Sequence, residues 1–196
     1  MRNPFDPGNY CSDELRTFGF KAIGDNVRIS RACNIVGLEN IEIGNNVRID
    51  AYCQLIAVGG PIRLGSYIHI GGGCFLTARG GIEMGDFSGL SQNVAIYTAT
   101  DDYLGRHMTN PMVPEHLTGV RVAPVRIGRH AIVGSGSVIL PGAHLGEGVA
   151  VGALSLMTNP APEWTVYAGS PARKRADRQR QPLFLEQKLN SWQAAS

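Results

Sequence analysis

Residues 127–161 read IGRHAIVGSGSVILPGAHLGEGVAVGALSLMTNPA. Ile127, Val133, Ile139, Leu145, Val151 and Met157 recur at every sixth position. The residues after them are Gly128, Gly134, Leu140, Gly146, Gly152 and Thr158. Four places after each aliphatic stand Ala131, Ser137, Ala143, Val149, Ser155 and Ala161, nearly all small. An aliphatic, a glycine and a small residue on a six-residue beat mark a parallel β-helix. Outward from this stretch the beat continues in triplets: Ile23, Ile29 and Ile35; Ile43, Ile49 and Leu55; Leu64, Ile70 and Leu76; Met84, Leu90 and Ile96.

Three such steps make one triangular coil, with starts at 23, 43, 64, 84, 127 and 145. Successive starts are therefore separated by 20, 21, 20, 43 and 18 residues, so one corner carries a long insertion. A column not used to set this register supports it. Gly24, Gly44, Gly65, Gly85, Gly128 and Gly146 follow the six starts without exception. One residue type in one column implies one backbone demand, either a corner without room for Cβ or a positive φ. Each inward aliphatic contributes roughly 1.5–3 kcal/mol of burial. Neighbouring coils supply the hydrogen bonds, so no coil stands alone.

The expected architecture is all-β: about six triangular coils over residues 23–170, with an insertion at 101–126. Residues 1–22 form an N-terminal cap in which Ser12-Asp13-Glu14 starts a helix, and residues 171–196 form a tail with a helix carrying Leu183, Phe184, Leu185 and Leu189. The 25 glycines and 11 prolines argue against a helical bundle. A net charge of +2 gives no case for nucleic acid, and no apolar run approaches the ~20 residues of a membrane span. The opening MRNPFDPGNYC lacks an apolar h-region, which predicts no signal peptide and a reduced, cytoplasmic protein.

Cys33, Cys53 and Cys74 share a column with Val94, Ser137 and Ser155, and so read as small buried side chains rather than metal ligands. No metal is expected. His69 and His144 share a slot on solvated faces. His130 reads either as a corner residue or as a site residue, and His107 and His116 lie in the insertion. An excursion that long is uncommon unless functional or disordered. It opens on Thr100-Asp101-Asp102-Tyr103. The paired carboxylates read as a solvated acidic patch or as the source of a general base, since adjacent like charges raise one pKa.

Four stretches carry a resemblance: Ile96-Tyr97-Thr98-Ala99-Thr100, Pro124-Val125-Arg126-Ile127-Gly128, residues 133–142, and Tyr167-Ala168-Gly169-Ser170-Pro171-Ala172-Arg173. Over roughly residues 12–180 the chain resembles the hexapeptide-repeat acyltransferases of the maltose and galactoside O-acetyltransferase branch. In the insertion it resembles a subgroup of sugar O-acetyltransferases associated with surface polysaccharide.

The resemblance implies a left-handed helix and a homotrimer whose sites lie between subunits, with the long loop over a neighbour. It implies acetyl-CoA as co-substrate and a sugar or nucleotide-sugar acceptor. Its donor site maps onto Gly134, Ser135, Gly152 and Ala153 for the pantetheine arm, and onto Arg173 and Lys174 for the phosphates. These glycines also read as plain corner geometry, and the basic pair as a solvated tail.

The chain departs from that branch where a catalytic His follows the Tyr-Thr-Ala-Thr type of stretch; here Asp101 stands. The Asn-bearing acceptor segment is replaced by Gly71-Gly72-Gly73. Three mechanisms stay open: Asp101 or Asp102 as general base toward a sugar hydroxyl; His107 or His130 as base, oriented by Asp101; or an amine acceptor that needs less help. The expected reaction is acetyl transfer to a sugar hydroxyl by a carboxylate–His combination, the alternative being N-acetylation of an amino sugar. A zinc carbonic anhydrase needs three His, and no close His pair lies on adjacent turns. A non-catalytic scaffold predicts no affinity for coenzyme A.

Overall fold

The computed structural model describes residues 5–194 of the chain. The first four residues of the expected cap and the last two of the expected tail lie outside the described residues. The chain winds as a left-handed parallel β-helix, the exception to right-handed crossovers that its repeat pattern accompanies. Its three faces are called sheets I, II and III.

Sheet I carries the rungs Arg28–Ser30, Arg48–Ile49, His69–Ile70, Gly89–Leu90, Ile132–Val133, Ala150–Val151 and Thr165–Ala168. Sheet II runs from Asn34–Val36 to Leu156–Met157, and sheet III from Ala22–Ile23 to His144–Leu145, each with six strands. The solenoid therefore has six full coils and part of a seventh, one rung more than the sequence suggests. Ile127 pairs with Leu145, Val133 with Val151 and Ile139 with Met157, as the six-residue beat requires. The aliphatic column fills the interior: Ile49, Leu55, Ile70, Leu76, Ile96, Val133, Ile139 and Leu145 have no exposed surface.

The glycine column answers to space, not to dihedral angle. A Cβ on Gly128 would lie 2.6–2.7 Å from the backbone of Gly146 and Glu147, and one on Gly24 would lie 2.5 Å from the backbone of Gly44. Positive φ falls two residues later, on Asn26, Asn46, Tyr67, Phe87, His130 and Gly148. Asn tolerates that conformation. At the three ring-bearing positions the rings stack: Tyr67 on Phe87 at 4.7 Å and Phe87 on His130 at 5.0 Å between centroids. Below them Trp164 lies under His130, in space that a Cβ on Gly148 would occupy.

Both ends of sheet I are covered by antiparallel strands, which removes the open edges. Asn9–Cys11 pairs with Arg28–Ser30, and helix α1 (Ser12–Arg16) follows, its first turn tied by Glu14 accepting from the Cys11 N–H at 2.9 Å. At the other end Arg173–Asp177 pairs with Thr165–Ala168. Residues 171–180 thus contain a strand where a plain tail was expected. Helix α2 (Gln181–Ala194) comes after it, with Pro182, Leu183, Glu186 and Leu189 partly covered and Phe184 and Leu185 exposed.

The insertion also closes earlier than the expected 101–126. Ala99–Thr100 pairs with Arg121–Val122 as a stalk, and Val125–Ile127 is already a rung of sheet III. The cysteine column is a stack of hydrogen-bonded thiols, Cys33 Sγ donating to Asp50 O, Cys53 to Gly71 O and Cys74 to Ser91 O at 3.1–3.2 Å. The neighbouring Cys53 thiol and burial hold the Cys33 and Cys74 thiols well above their ordinary range.

The outer faces differ. Sheet III presents Glu42, Arg63, Glu83 and Arg126 in register, each cation paired with its acidic neighbours at 3.1–3.3 Å. Sheet II presents Val36, Ile56, Phe75, Tyr97, Val138 and Leu156.

Candidate active site

The excursion leaves the corner between sheets II and III. Buried Thr98 fixes its root: its hydroxyl donates to Thr77 O at 2.7 Å and accepts from Gly80 N at 2.9 Å, and its carbonyl accepts from Ala123 N at 3.0 Å. The two chain ends are thereby held together and the loop is free to fold on itself. Arg79, Thr100, Asp101, Asn110, Glu115 and Thr118 line a crevice of about 430 Å³ beneath it. The excursion overhangs this crevice within its own chain.

The two aspartates do different work. Asp101 is partly covered and borders the crevice. Asp102 is committed to the loop: its carboxylate accepts from Leu104 N at 2.8 Å, Arg106 N at 2.9 Å and His107 Nδ1 at 2.9 Å. The His107 ring and those backbone donors hold the Asp102 carboxyl below the usual carboxylate range. The expectation that the acidic pair would raise a carboxylate is not met at Asp102, because three donors face it. It is also Asp102, not Asp101, that orients His107. With Nδ1 given to Asp102, Nε2 of the half-exposed His107 is the ring nitrogen left for a reacting proton.

His130 is elsewhere. It occupies the corner between sheets III and I, 8% exposed, stacked on Phe87, with Nε2 2.8 Å from Glu186 Oε2. Burial acts to raise Glu186, but His130 and Arg129 outweigh it and hold that carboxyl low. Within one chain His130 pins α2 to the solenoid and does not join Asp101 in the crevice. Glu186 gives no signal in the sequence, since nothing in a repeat shows where a helix 56 residues downstream docks.

The residues assigned to the donor lie on the corner between sheets I and II. Gly134 and Ser135 stack against Gly152 and Ala153, and a Cβ on Gly134 would lie 2.5 Å from Ala153 N. Coil spacing alone requires that glycine. Ser135 Oγ meets Gln92 Oε1 at 3.2 Å, and Ala153 is exposed. Arg173 and Lys174 stand on the exposed strand at the C-terminal end of the solenoid; Lys174 is already paired with Asp177 at 2.6 Å.

The same face holds two features that sequence reading passed over. Ser91 and Gln92 border a second groove, on sheet I. His69, expected to be simply solvated, points Nε2 at Asp50 Oδ2 from 2.8 Å. The coil register could have found that pair, since Arg48 and His69 are directly opposite. Among the described residues no group of three or more His, Cys, Asp or Glu side chains could hold a metal ion, and no helix is long and apolar enough to cross a membrane.

No family model matches the chain. It is 40% identical over 173 residues to dTDP-4-amino-4,6-dideoxy-D-glucose acyltransferase of Escherichia coli, covering 88% of this chain and 90% of the relative. AntD, an N-acyltransferase from Bacillus cereus solved with dTDP and 3-hydroxybutyryl-CoA, superposes with a TM-score of 0.92 at 37% identity, over 97% of this chain and 100% of that one. A maltose O-acetyltransferase from Clostridium difficile superposes at 0.58 and 26% identity, over 86% and 74%. Other solved forms of AntD are altered at a serine or at an aspartate ten residues further on.

Proposed function

Because the chain belongs to the hexapeptide-repeat sugar acyltransferases, we propose that it moves an acyl group from acyl-CoA to the amine of a nucleotide-linked amino sugar. The observation that carries this is the near full-length similarity to an acyltransferase named for dTDP-4-amino-4,6-dideoxy-D-glucose. It favours the amine over the sugar hydroxyl, and so favours the alternative reading of the sequence over the first. The site chemistry agrees. Where the O-acetyltransferase pattern has a histidine, this chain has Asp101, with Ser91 ten residues before it, the spacing of the two positions altered in AntD.

The chemistry needs little from the enzyme beyond positioning and one proton acceptor. The amine nitrogen attacks the thioester carbonyl, and the oxyanion so formed collapses with cleavage of the C–S bond. The proton lost by nitrogen passes through Asp101 and ends on the departing coenzyme A sulfur. Asp102 serves as a positioning residue, fixing the loop and His107. Coenzyme A would lie along the Gly134-Ser135 and Gly152-Ala153 corner, with Arg173 and Lys174 toward its phosphates.

A homotrimer fits this arrangement. The charge-compensated sheet III suits water, while the apolar face of sheet II and the loop tip, with Tyr103 90%, Leu104 78% and Met112 90% exposed, suit a second copy. Acyl-CoA as donor fits a cytoplasmic enzyme.

Release of free thiol tests the reading. dTDP-4-amino-4,6-dideoxyglucose should be turned over with acetyl-CoA or 3-hydroxybutyryl-CoA, and its 4-hydroxy counterpart should not. Asp101→Asn should lower kcat by about 10²–10⁴-fold with KM little changed. Turnover of the hydroxyl compound in preference to the amine would restore the O-acyl reading.

A further inference from the structure

The corner between sheets II and III repeats from coil to coil until the loop leaves it. One residue past the paired rung residues Val36, Ile56, Thr77 and Tyr97 stand Gly37, Ala57, Ala78 and Thr98. Ala57, Ala78 and Thr98 have no exposed surface. At the two alanines the ladder simply continues: Ala57 N donates to Val36 O and Ala78 N to Ile56 O, each at 2.9 Å. At Thr98 the corresponding acceptor, Thr77 O, takes the side-chain hydroxyl at 2.7 Å. Packing at this place asks only for a small residue, since glycine or alanine fills it in the three coils before. The hydroxyl enters in the coil from which the chain departs.

That oxygen also accepts from Gly80 N at 2.9 Å, so it is tied twice to the preceding coil. Removing it would strand a part-buried carbonyl and a part-buried N–H together. Gly80 is pressed against both limbs of the loop: a Cβ there would lie 2.8 Å from the carbonyl carbon and oxygen of Ala123 and 3.0 Å from Thr98 O. Thr98 O in turn accepts from Ala123 N at 3.0 Å. The outgoing limb, the returning limb and the preceding coil therefore meet at one residue. The stalk begins on the next, with Ala99 opposite Val122 and Thr100 opposite Arg121, and Asp101 stands immediately beyond it. Three residues span at most about 10 Å of chain, so a shift at the root reaches Asp101 with little chain to absorb it.

We propose that Thr98 is a positioning residue for the transfer, its hydroxyl setting where the Asp101 carboxylate stands against the reacting nitrogen. The proposal rests on the reading of Asp101 as proton acceptor. Thr98 is buried and acts only through the loop that it roots.

Initial rates of thiol release from acetyl-CoA with dTDP-4-amino-4,6-dideoxyglucose test it, on Thr98→Ala, Thr98→Ser, Asp101→Asn and the double variant Thr98→Ala/Asp101→Asn. Alanine is what the fold holds at this place in the two preceding coils, so the β signal in circular dichroism should be retained. Thr98→Ala should lower kcat about 30-fold, by displacing the base, with coenzyme A affinity in titration calorimetry within about twofold. Thr98→Val keeps the shape of threonine without the hydroxyl; it should match Thr98→Ala and carries the test if the alanine chain does not fold. Thr98→Ser keeps the oxygen and should bring kcat back to within about threefold of the parent. In the Asp101→Asn chain, with no carboxylate to displace, Thr98→Ala should cost at most about twofold more. Thr98→Ala at the parent rate overturns the proposal and leaves Asp101 as the base. Losses that multiply in the double variant overturn it too, since Thr98 would then act on something other than Asp101. So does a loss that serine fails to restore, or a coenzyme A affinity that falls along with kcat. Asp101→Asn at the parent rate overturns the reading of the base and the proposal with it.

Discussion

Three glycine-to-alanine substitutions separate the two demands that a corner can make. Gly128 has an ordinary φ, but its Cβ would sit 2.6–2.7 Å from three backbone atoms of the next coil. Backbone cannot rotate away, so the coils must part, against the Gly128 N to Leu145 O bond at 2.7 Å. Overpacking of that kind costs about 3 kcal/mol. Gly142 has φ +86°, but its Cβ would meet only the end of Arg121 at 3.3 Å and Ala123 Cβ at 3.7 Å. Left-handed backbone costs alanine about 1–2 kcal/mol, offset by about 0.4–1 kcal/mol from the stiffer unfolded chain. Gly89 has no positive φ, and a Cβ there would meet only His69 O at 3.4 Å, so it suffers neither penalty and should gain that entropic term. At roughly 2–4 °C per kcal/mol for a chain of this size, Gly128→Ala should lower Tm by about 6–12 °C and Gly142→Ala by about 0–6 °C, while Gly89→Ala should lower it not at all. Scanning calorimetry or circular dichroism melts at fixed protein concentration give the order. Equal losses for Gly128→Ala and Gly142→Ala would refute the argument that coil spacing dictates the glycine column.

Acid should loosen the loop before the solenoid. The Asp102 carboxyl is lowered by its three donors, so its contribution is full above the ordinary carboxylate pKa and is lost as pH falls through the lowered folded value. Limited proteolysis between residues 103 and 120 should accelerate below about pH 4, and Asp102→Asn should show the same susceptibility at neutral pH. Protection that persists in Asp102→Asn would mean the carboxylate does not organise the loop. Glu186→Gln should free α2, since its partners Arg129 and His130 bond the charged carboxylate. Tryptic cleavage after Lys188 should rise about tenfold without loss of the solenoid's β signal; unchanged cleavage would show that apolar contacts alone hold the helix.

The triangular coil, the inward column and the corner from which the insertion leaves were legible because stacking imposes one period on inside and outside alike; the part of a seventh coil and the insertion's close at Arg121–Val122 were not. The ends of the chain were less so. The antiparallel strand at Arg173–Asp177 has a composition, RKRAD, that reads as a solvated tail, and it is a strand only because the seventh rung offers it an edge. The candidate site was half legible. Asp101, Asp102 and His107 were found as residues of the insertion, but their pairing was not, since loop geometry has no period. His130 was open between two readings, and neither its stacking on Phe87 nor its bond to Glu186 was visible in the repeat. Ser91 drew no notice because a serine at a corner is ordinary.

Alone, the amino-acid sequence determined the six-residue beat, and with it a triangular solenoid, its buried column and the corner where a loop must leave. Those properties repeat every coil, so each is written many times over in the chain. The tertiary structure decided everything that happens once: which aspartate holds His107, where α2 lands, and how Thr98 comes to tie both limbs of the loop to the coil before it. Such groups are brought together across coils by side-chain reach and corner geometry, for which a linear pattern carries no signature.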